Sequence, residues 1–157
     1  MKEAVTMIMT EILIAELNEF IKTNYAPCVF YQMSNVPIDE LEKQLEDTFS
    51  VAVLKIMEES GEAAVDFYKR ANIDRKLFSK MKNDVNYKPS KETAILIALA
   101  LHLNMADCQN LLGKAGYCLS RSSLDDVIVA FFIKKGIFDI DLINEALEQH
   151  KLKTIGC

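Results

Sequence analysis

The sequence predicts an all-α fold, and both its composition and its spacing support this. The chain has 157 residues and half of them are apolar, enough to bury a core in one domain with or without a small appendage. Glycine (5) and proline (3) are scarce, whereas β-sandwiches and barrels need many tight turns. Apolar residues recur at three- and four-residue steps, the period of helices packed on one side.

The first third of the chain is predicted to form two helices separated by a loop. Apolar side chains recur at helical spacing in residues 4–24, and the broad apolar face must pack on the rest of the chain or on another molecule. Residues 25–37 contain Pro27 and Pro37 and read as a loop. The segment Asp39–Leu45 reads as a short acidic helix.

Capping residues divide the rest of the chain into closely spaced helices. Gly61 and Gly136 are placed to end helices, Asp74 and Ser90 are placed to cap helix starts, and Asn104 is expected to close a helix in a left-handed conformation. The predicted helices are Phe49–Glu59, Glu62–Arg70, Asp74–Asn83, Ser90–Leu103, Ala106–Ala115, Leu124–Lys135 and Asp141–His150.

Charge is distributed unevenly, although the net charge of −5 looks wrong for a nucleic-acid binder. Residues 1–49 hold three bases and nine acids, a balance of −6, and residues 50–157 hold fifteen and fourteen, a balance of +1. Residues 69–91 alone hold eight bases and two acids, a balance of +6. Because salt screens charge over about 8–10 Å, this local excess matters more to a partner than the total does.

The most informative stretch is residues 67–82, FYKRANIDRKLFSKMK. Asn72 lies where the chain must turn, and asparagine tolerates positive φ better than most residues. Ile73 can pack between the helices, and Asp74 can cap the second one. Leu77, Phe78 and Met81 are expected on the buried side of that helix, and the outward positions are Arg75, Lys76, Ser79, Lys80, Lys82 and Asn83.

These residues resemble the lambda-repressor-like (Cro or XRE) family of helix-turn-helix proteins. That family has leucine, alanine, two polar residues, leucine, glycine, valine, serine and arginine in succession. The positions Phe67, Asn72, Ile73, Asp74 and Arg75 match its first leucine, glycine, valine, serine and arginine. The resemblance implies a DNA-binding fold whose second motif helix, the recognition helix, enters the major groove.

The resemblance extends over residues 50–116 and has one departure. Phe78 and Met81 match the two apolar anchors of the recognition helix, and Pro89 with Ser90 matches the start of the family's fourth helix. The family's small alanine falls on Tyr68, which would push the two helices apart or point outward. The expected organisation is an N-terminal helical, acidic segment over residues 1–48, the helix-turn-helix domain over 49–117, and a helical extension over 118–157 that packs on this domain.

The leading functional prediction is a DNA-binding transcriptional regulator that contacts double-stranded DNA. Lysines would meet phosphates, while Arg75, Ser79 and Asn83 would meet base edges. Arg75 has the alternative role of pairing with a neighbouring carboxylate. A homodimer is expected, because one such unit offers few contacts, with the N-terminal helix as the surface for a second copy or another protein. The predicted DNA-binding residues are Arg75, Lys76, Ser79, Lys80, Lys82, Asn83, Lys88 and Lys91.

The alternative prediction uses the same scaffold as a protein-interaction module, an inhibitor or adaptor of phage or mobile-element type. The acidic first third, Tyr68 and the long extension favour this alternative, whereas the basic segment favours DNA.

Several function classes are not expected for this chain. His102 and His150 have no partner that the sequence shows, so no enzyme is predicted. The four cysteines form no C-x-x-C pair, so no metal site or cofactor is predicted. No secretory signal peptide is expected in the first residues, and no apolar run reaches about 18–20 residues, so no membrane span is expected and the predicted location is cytoplasmic.

Overall fold

The computed structural model describes residues 11–12, 14–16, 18–19 and 46–156. The chain divides into two compact units, Met1–Glu46 and Asp47–Cys157. In the first unit the described residues between 11 and 19 are helical, in agreement with the helix predicted over 4–24. The predicted loop 25–37 and helix Asp39–Leu45 lie outside the described residues.

The second unit is built from helices and their connections, and its described residues include no strand. The all-α class is therefore confirmed. The helices are α1 Phe49–Ser60, α2 Ala64–Arg70, α3 Arg75–Asn83, α4 Lys91–Ala100, α5 Met105–Lys114, α6 Leu124–Lys135 and α7 Ile140–Gln149.

Helix α4 is the centre of the core. Every residue from Ala94 to Ala100 is buried, as expected for a helix that is apolar all round. Helix α4 contacts α5, α5 contacts α1 and α6, and α3 contacts both α1 and α2. Helix α7 contacts α6 and contributes Ile143 and Leu147, which have no exposed surface.

Four of the five predicted caps are confirmed. The side chains of Asp74 and Ser90 accept hydrogen bonds from backbone N–H groups at the starts of α3 and α4, and Asp139 caps the start of α7 in the same way. Gly61 and Gly136 end α1 and α6 with φ of 66° and 70°, a conformation that glycine adopts without steric cost.

The prediction for Asn104 is wrong. Asn104 has φ −67° and caps the start of α5, accepting a 2.9 Å hydrogen bond from Asp107 N. The left-handed residue after α4 is His102, with φ 54°. The helix ends one turn earlier than expected, so the asparagine is free to satisfy the first N–H groups of the next helix. The ring of His102 stacks on Phe138 with centroids 4.8 Å apart.

The start of α2 also differs from the prediction. The helix begins at Ala64 rather than Glu62, and Ala63 supplies no side-chain cap. Glu62 instead pairs with Arg70 at the far end of the same helix, through Nη1–Oε1 and through a 2.6 Å bond between Nη2 and Oε2. Because this bidentate geometry favours the ionised carboxylate, it holds the pKa of Glu62 below its usual range.

Candidate nucleic-acid interface

Helices α2 and α3 are joined by a short turn at the position that the sequence predicts. Asn72 adopts φ 53°, and Ile73 N donates a 3.0 Å hydrogen bond to Tyr68 O, which closes the turn. Asp74 Oδ1 then accepts from Leu77 N at 2.6 Å. The turn therefore fixes where α3 starts relative to α2.

Aromatic side chains fix α3 against α2. The rings of Phe67 and Phe78 have centroids 5.8 Å apart, and Phe67 and Met81 have no exposed surface. Leu77, predicted on the same side, is only half-buried. One face of α3 therefore packs in the core.

Tyr68 packs without separating the two helices. It is half-buried, with its ring centroid 5.8 Å from that of Phe78, and α2 and α3 remain in contact. Ala71, the residue that ends α2, is completely buried.

The opposite face of α3 is exposed and basic. Arg75, Lys76 and Lys82 form no ion pair with any residue that the structure describes. Asn83 Nδ2 donates to Ser79 Oγ at 3.4 Å, so these two side chains share one face. All the predicted positions on this helix are exposed: Arg75, Lys76, Ser79, Lys80, Lys82 and Asn83.

The loop after α3 is fixed at both ends. Thr48 Oγ1 donates a 2.6 Å hydrogen bond to Val85 O, and Tyr117 Oη donates to Pro89 O at 2.9 Å. Between them the Tyr87 ring lies 5.5 Å from Lys80 Nζ, a cation–π distance. Burial, and to a smaller extent the charge of Asp74, raise the pKa of Tyr87. Lys88 is therefore an exposed cation on a fixed loop.

Lys91 differs from the other predicted DNA-binding residues. Its Nζ lies 2.5 Å from Oδ2 of Asp126, a carboxylate that is 2% exposed. The same oxygen accepts a 2.9 Å hydrogen bond from Ser120 N. The charge of Lys91 is thus neutralised within the chain, and α4 is joined to α6. The sequence shows both residues but not their contact, since 35 positions separate them.

Residues 155–156 pack on the turn between α2 and α3. The side chain of Asn72 donates to Gly156 O, and Glu92 Oε1 accepts from Gly156 N at 3.0 Å. Ile155 exchanges two hydrogen bonds of 2.8 Å with the side chain of Asn144 in α7. The last described residues therefore connect α7 to the turn that positions α3, a contact that sequence reasoning missed.

Comparisons with known proteins give no relative of this chain: no family model, no curated protein and no solved structure matches it. Within the described residues, no three His, Cys, Asp or Glu side chains gather as a metal site would require. No helix in that part of the chain is long and apolar enough to cross a bilayer.

Proposed function

We propose that the chain is a DNA-binding regulator in which α2 and α3 form a helix-turn-helix motif and α3 is the recognition helix. The supporting observation is the division of α3 into two faces. Phe78 and Met81 fix one face in the core, while the other presents unpaired cations to solvent. A rigid basic helix matches what major-groove docking requires.

The proposed roles follow from position on the helix. At about 100° per residue, Lys76, Ser79 and Asn83 lie at the middle of the exposed face, opposite the core. Ser79 and Asn83 are the candidates for base edges, and asparagine can bond adenine bidentately. Arg75 lies at the edge of this face near the helix start, where it can reach guanine or a phosphate.

The lysines around this face are the proposed phosphate contacts. Lys76, Lys80, Lys82 and Lys88 are exposed, whereas Lys91 is bound to Asp126 and contributes little. The proposal involves no cofactor and no catalytic step. About four phosphate contacts imply a log–log dependence of affinity on salt with a slope of about −4.

The test is binding to duplex DNA by fluorescence anisotropy over a range of salt concentrations. Lys76→Glu or Lys80→Glu should each weaken binding and make the slope shallower by about one unit, and the double variant should not bind. Lys151→Glu, an exposed lysine after α7, is the matched control and should bind as the wild type does. Absence of wild-type binding at low salt would reject the regulator in favour of a protein-interaction module.

A further inference from the structure

Residues 152–156 follow α7 and reach the turn between α2 and α3. Leu152 and Ile155 are half-buried and pack against the core, which holds this segment on the protein. Asn144 in α7 exchanges two 2.8 Å hydrogen bonds with the backbone of Ile155, and Gly156 then meets the turn. We call residues 152–156 the strap, because one short segment contacts α7, the core and the turn.

The contact between the strap and the turn depends on the residue type at both positions. Asn72 has φ 53°, which a glycine would adopt with less strain. Only a side chain, however, can donate the hydrogen bond that Asn72 Nδ2 makes to Gly156 O. Gly156 has φ +74°, and a Cβ there would lie 2.9 Å from Asn72 Nδ2 and 3.3 Å from Leu96 Cδ2. The close approach therefore suits an asparagine in the turn and a glycine in the strap.

The α2–α3 turn is attached to both ends of the central helix α4. At the end of α4, Ala100 O accepts a 2.9 Å hydrogen bond from Arg70 Nε. In the first turn of α4, Glu92 Oε1 accepts from Gly156 N at 3.0 Å. Because Asn72 binds the same glycine, the strap joins the turn to the start of α4, while Arg70 joins the last residue of α2 to its end.

We infer that the strap is a positioning element for α3: by binding Asn72 it keeps the α2–α3 turn closed, and its release from α7 allows the start of α3 to open more often. A local segment opens only when the hydrogen bonds that hold it break. Asn144 lies in α7, which packs on α6, so an effect of Asn144 on α3 has to pass through the strap. Because this effect is measured without DNA, its outcome is separate from that of the proposed function.

The test is amide hydrogen exchange of the full chain and its variants, followed by NMR. Ile73 N donates to Tyr68 O and reports on closure of the turn. Phe78 N donates to the capping residue of α3 at 3.1 Å and reports on the start of that helix. Cys108 N makes the equivalent bond to the capping residue of α5 at 2.8 Å and is the reference amide.

Asn144→Ala releases the strap from α7. It should speed exchange at Ile73 and Phe78 by about three- to tenfold, as expected when the net stabilisation of about one hydrogen bond is lost. Exchange at Cys108 should not change. Asn110→Ala is the matched control, the same substitution at an exposed position of α5, and should leave Ile73 and Phe78 at the wild-type rate.

Two further variants test the path of the effect. Glu92→Ala removes the acceptor of Gly156 N and should speed exchange in the turn as Asn144→Ala does. Asn72→Gly keeps a residue that adopts positive φ in the turn but removes the side chain that binds the strap. In the Asn72→Gly background, Asn144→Ala should have no further effect on the turn, because the strap is already released from it.

Two results would overturn the inference. One is exchange at Ile73 and Phe78 that Asn144→Ala leaves at the wild-type rate, or speeds no more than at Cys108. The other is an effect of Asn144→Ala that persists at full size in the Asn72→Gly background, which would mean that a contact other than the strap carries it.

Discussion

Removal of the Asp126 side chain tests whether α6 is joined to α4 as the structure shows. In Asp126→Ala, Ser120 N loses its acceptor and Lys91 loses its ion pair. An unsatisfied, partly buried N–H costs about 1–3 kcal/mol, and breaking a fully buried ion pair costs about 3–5 kcal/mol. Because the Lys91 side chain is 38% exposed and can reach water, we expect a total loss of about 2–3 kcal/mol.

Removal of the other partner's charge, in Lys91→Met, should lower the free energy of unfolding by more than Asp126→Ala does. It leaves the Asp126 carboxylate, which is 2% exposed, without its cation, whereas Asp126→Ala leaves an ammonium group that water can reach. Denaturant unfolding followed by circular dichroism measures both losses as a shift of the midpoint at constant slope. Asp126→Asn is the control, because it keeps an oxygen that can accept from Ser120 N.

A larger loss of stability in Lys91→Met than in Asp126→Ala would confirm that the Asp126 carboxylate is the buried partner of the pair. Equal losses for Lys91→Met and Asp126→Ala, or losses below about 0.5 kcal/mol, the range of ordinary surface substitutions, would show that the pair is not buried as described. A double-mutant cycle on the two residues gives their coupling free energy directly.

Three further predictions concern the same unit. Gly156→Ala should lower the free energy of unfolding by about 1–2 kcal/mol, because Gly156 has φ +74° and a Cβ there would lie 2.9 Å from Asn72 Nδ2; an unchanged denaturation midpoint would contradict this contact. Iodoacetamide should label Cys118, which is exposed, well before Cys108, as read by peptide mass spectrometry. Equal labelling rates for the two thiols would refute the burial of Cys108. Burial raises the pKa of Cys108 from 9.0 to about 11. The thiol therefore ionises first in the unfolded chain, and the free energy of unfolding should fall as the pH rises between these two values. Glu62→Gln should lose about 0.5–1 kcal/mol at neutral pH, and because the pKa of Glu62 is lowered on folding, its difference from wild type should shrink as acid protonates the carboxylate.

The local features of the fold could be predicted from the sequence because they depend on residues close together in the chain. Asp74 caps α3 through an N–H group three positions away, and the positive φ of Asn72 follows from the short turn that contains it. The outward face of α3 followed in the same way, from the spacing of Phe78 and Met81. Such features need no knowledge of the rest of the fold.

The long-range contacts could not be predicted. From the sequence, Lys91 is one of the bases of residues 69–91 and is predicted to bind DNA. Only the packing of α6 on the rest of the unit brings Asp126 into contact with it. The contact of Asn72 with Gly156 joins residues 84 positions apart. The prediction for Asn104 was wrong for a different reason. Asparagine suits both the end of one helix and the start of the next, and the exact length of α4 decides which of the two roles Asn104 takes.

The proposed DNA contacts are tested most directly by the backbone amides of the full chain whose chemical shifts change when duplex DNA is added. The proposal predicts that the largest changes fall on α3 and the following loop, at Arg75, Lys76, Ser79, Asn83 and Lys88, with α7 unaffected. Changes concentrated on another helix, or none at low salt, would contradict the claim that the exposed face of α3 is the DNA-binding surface.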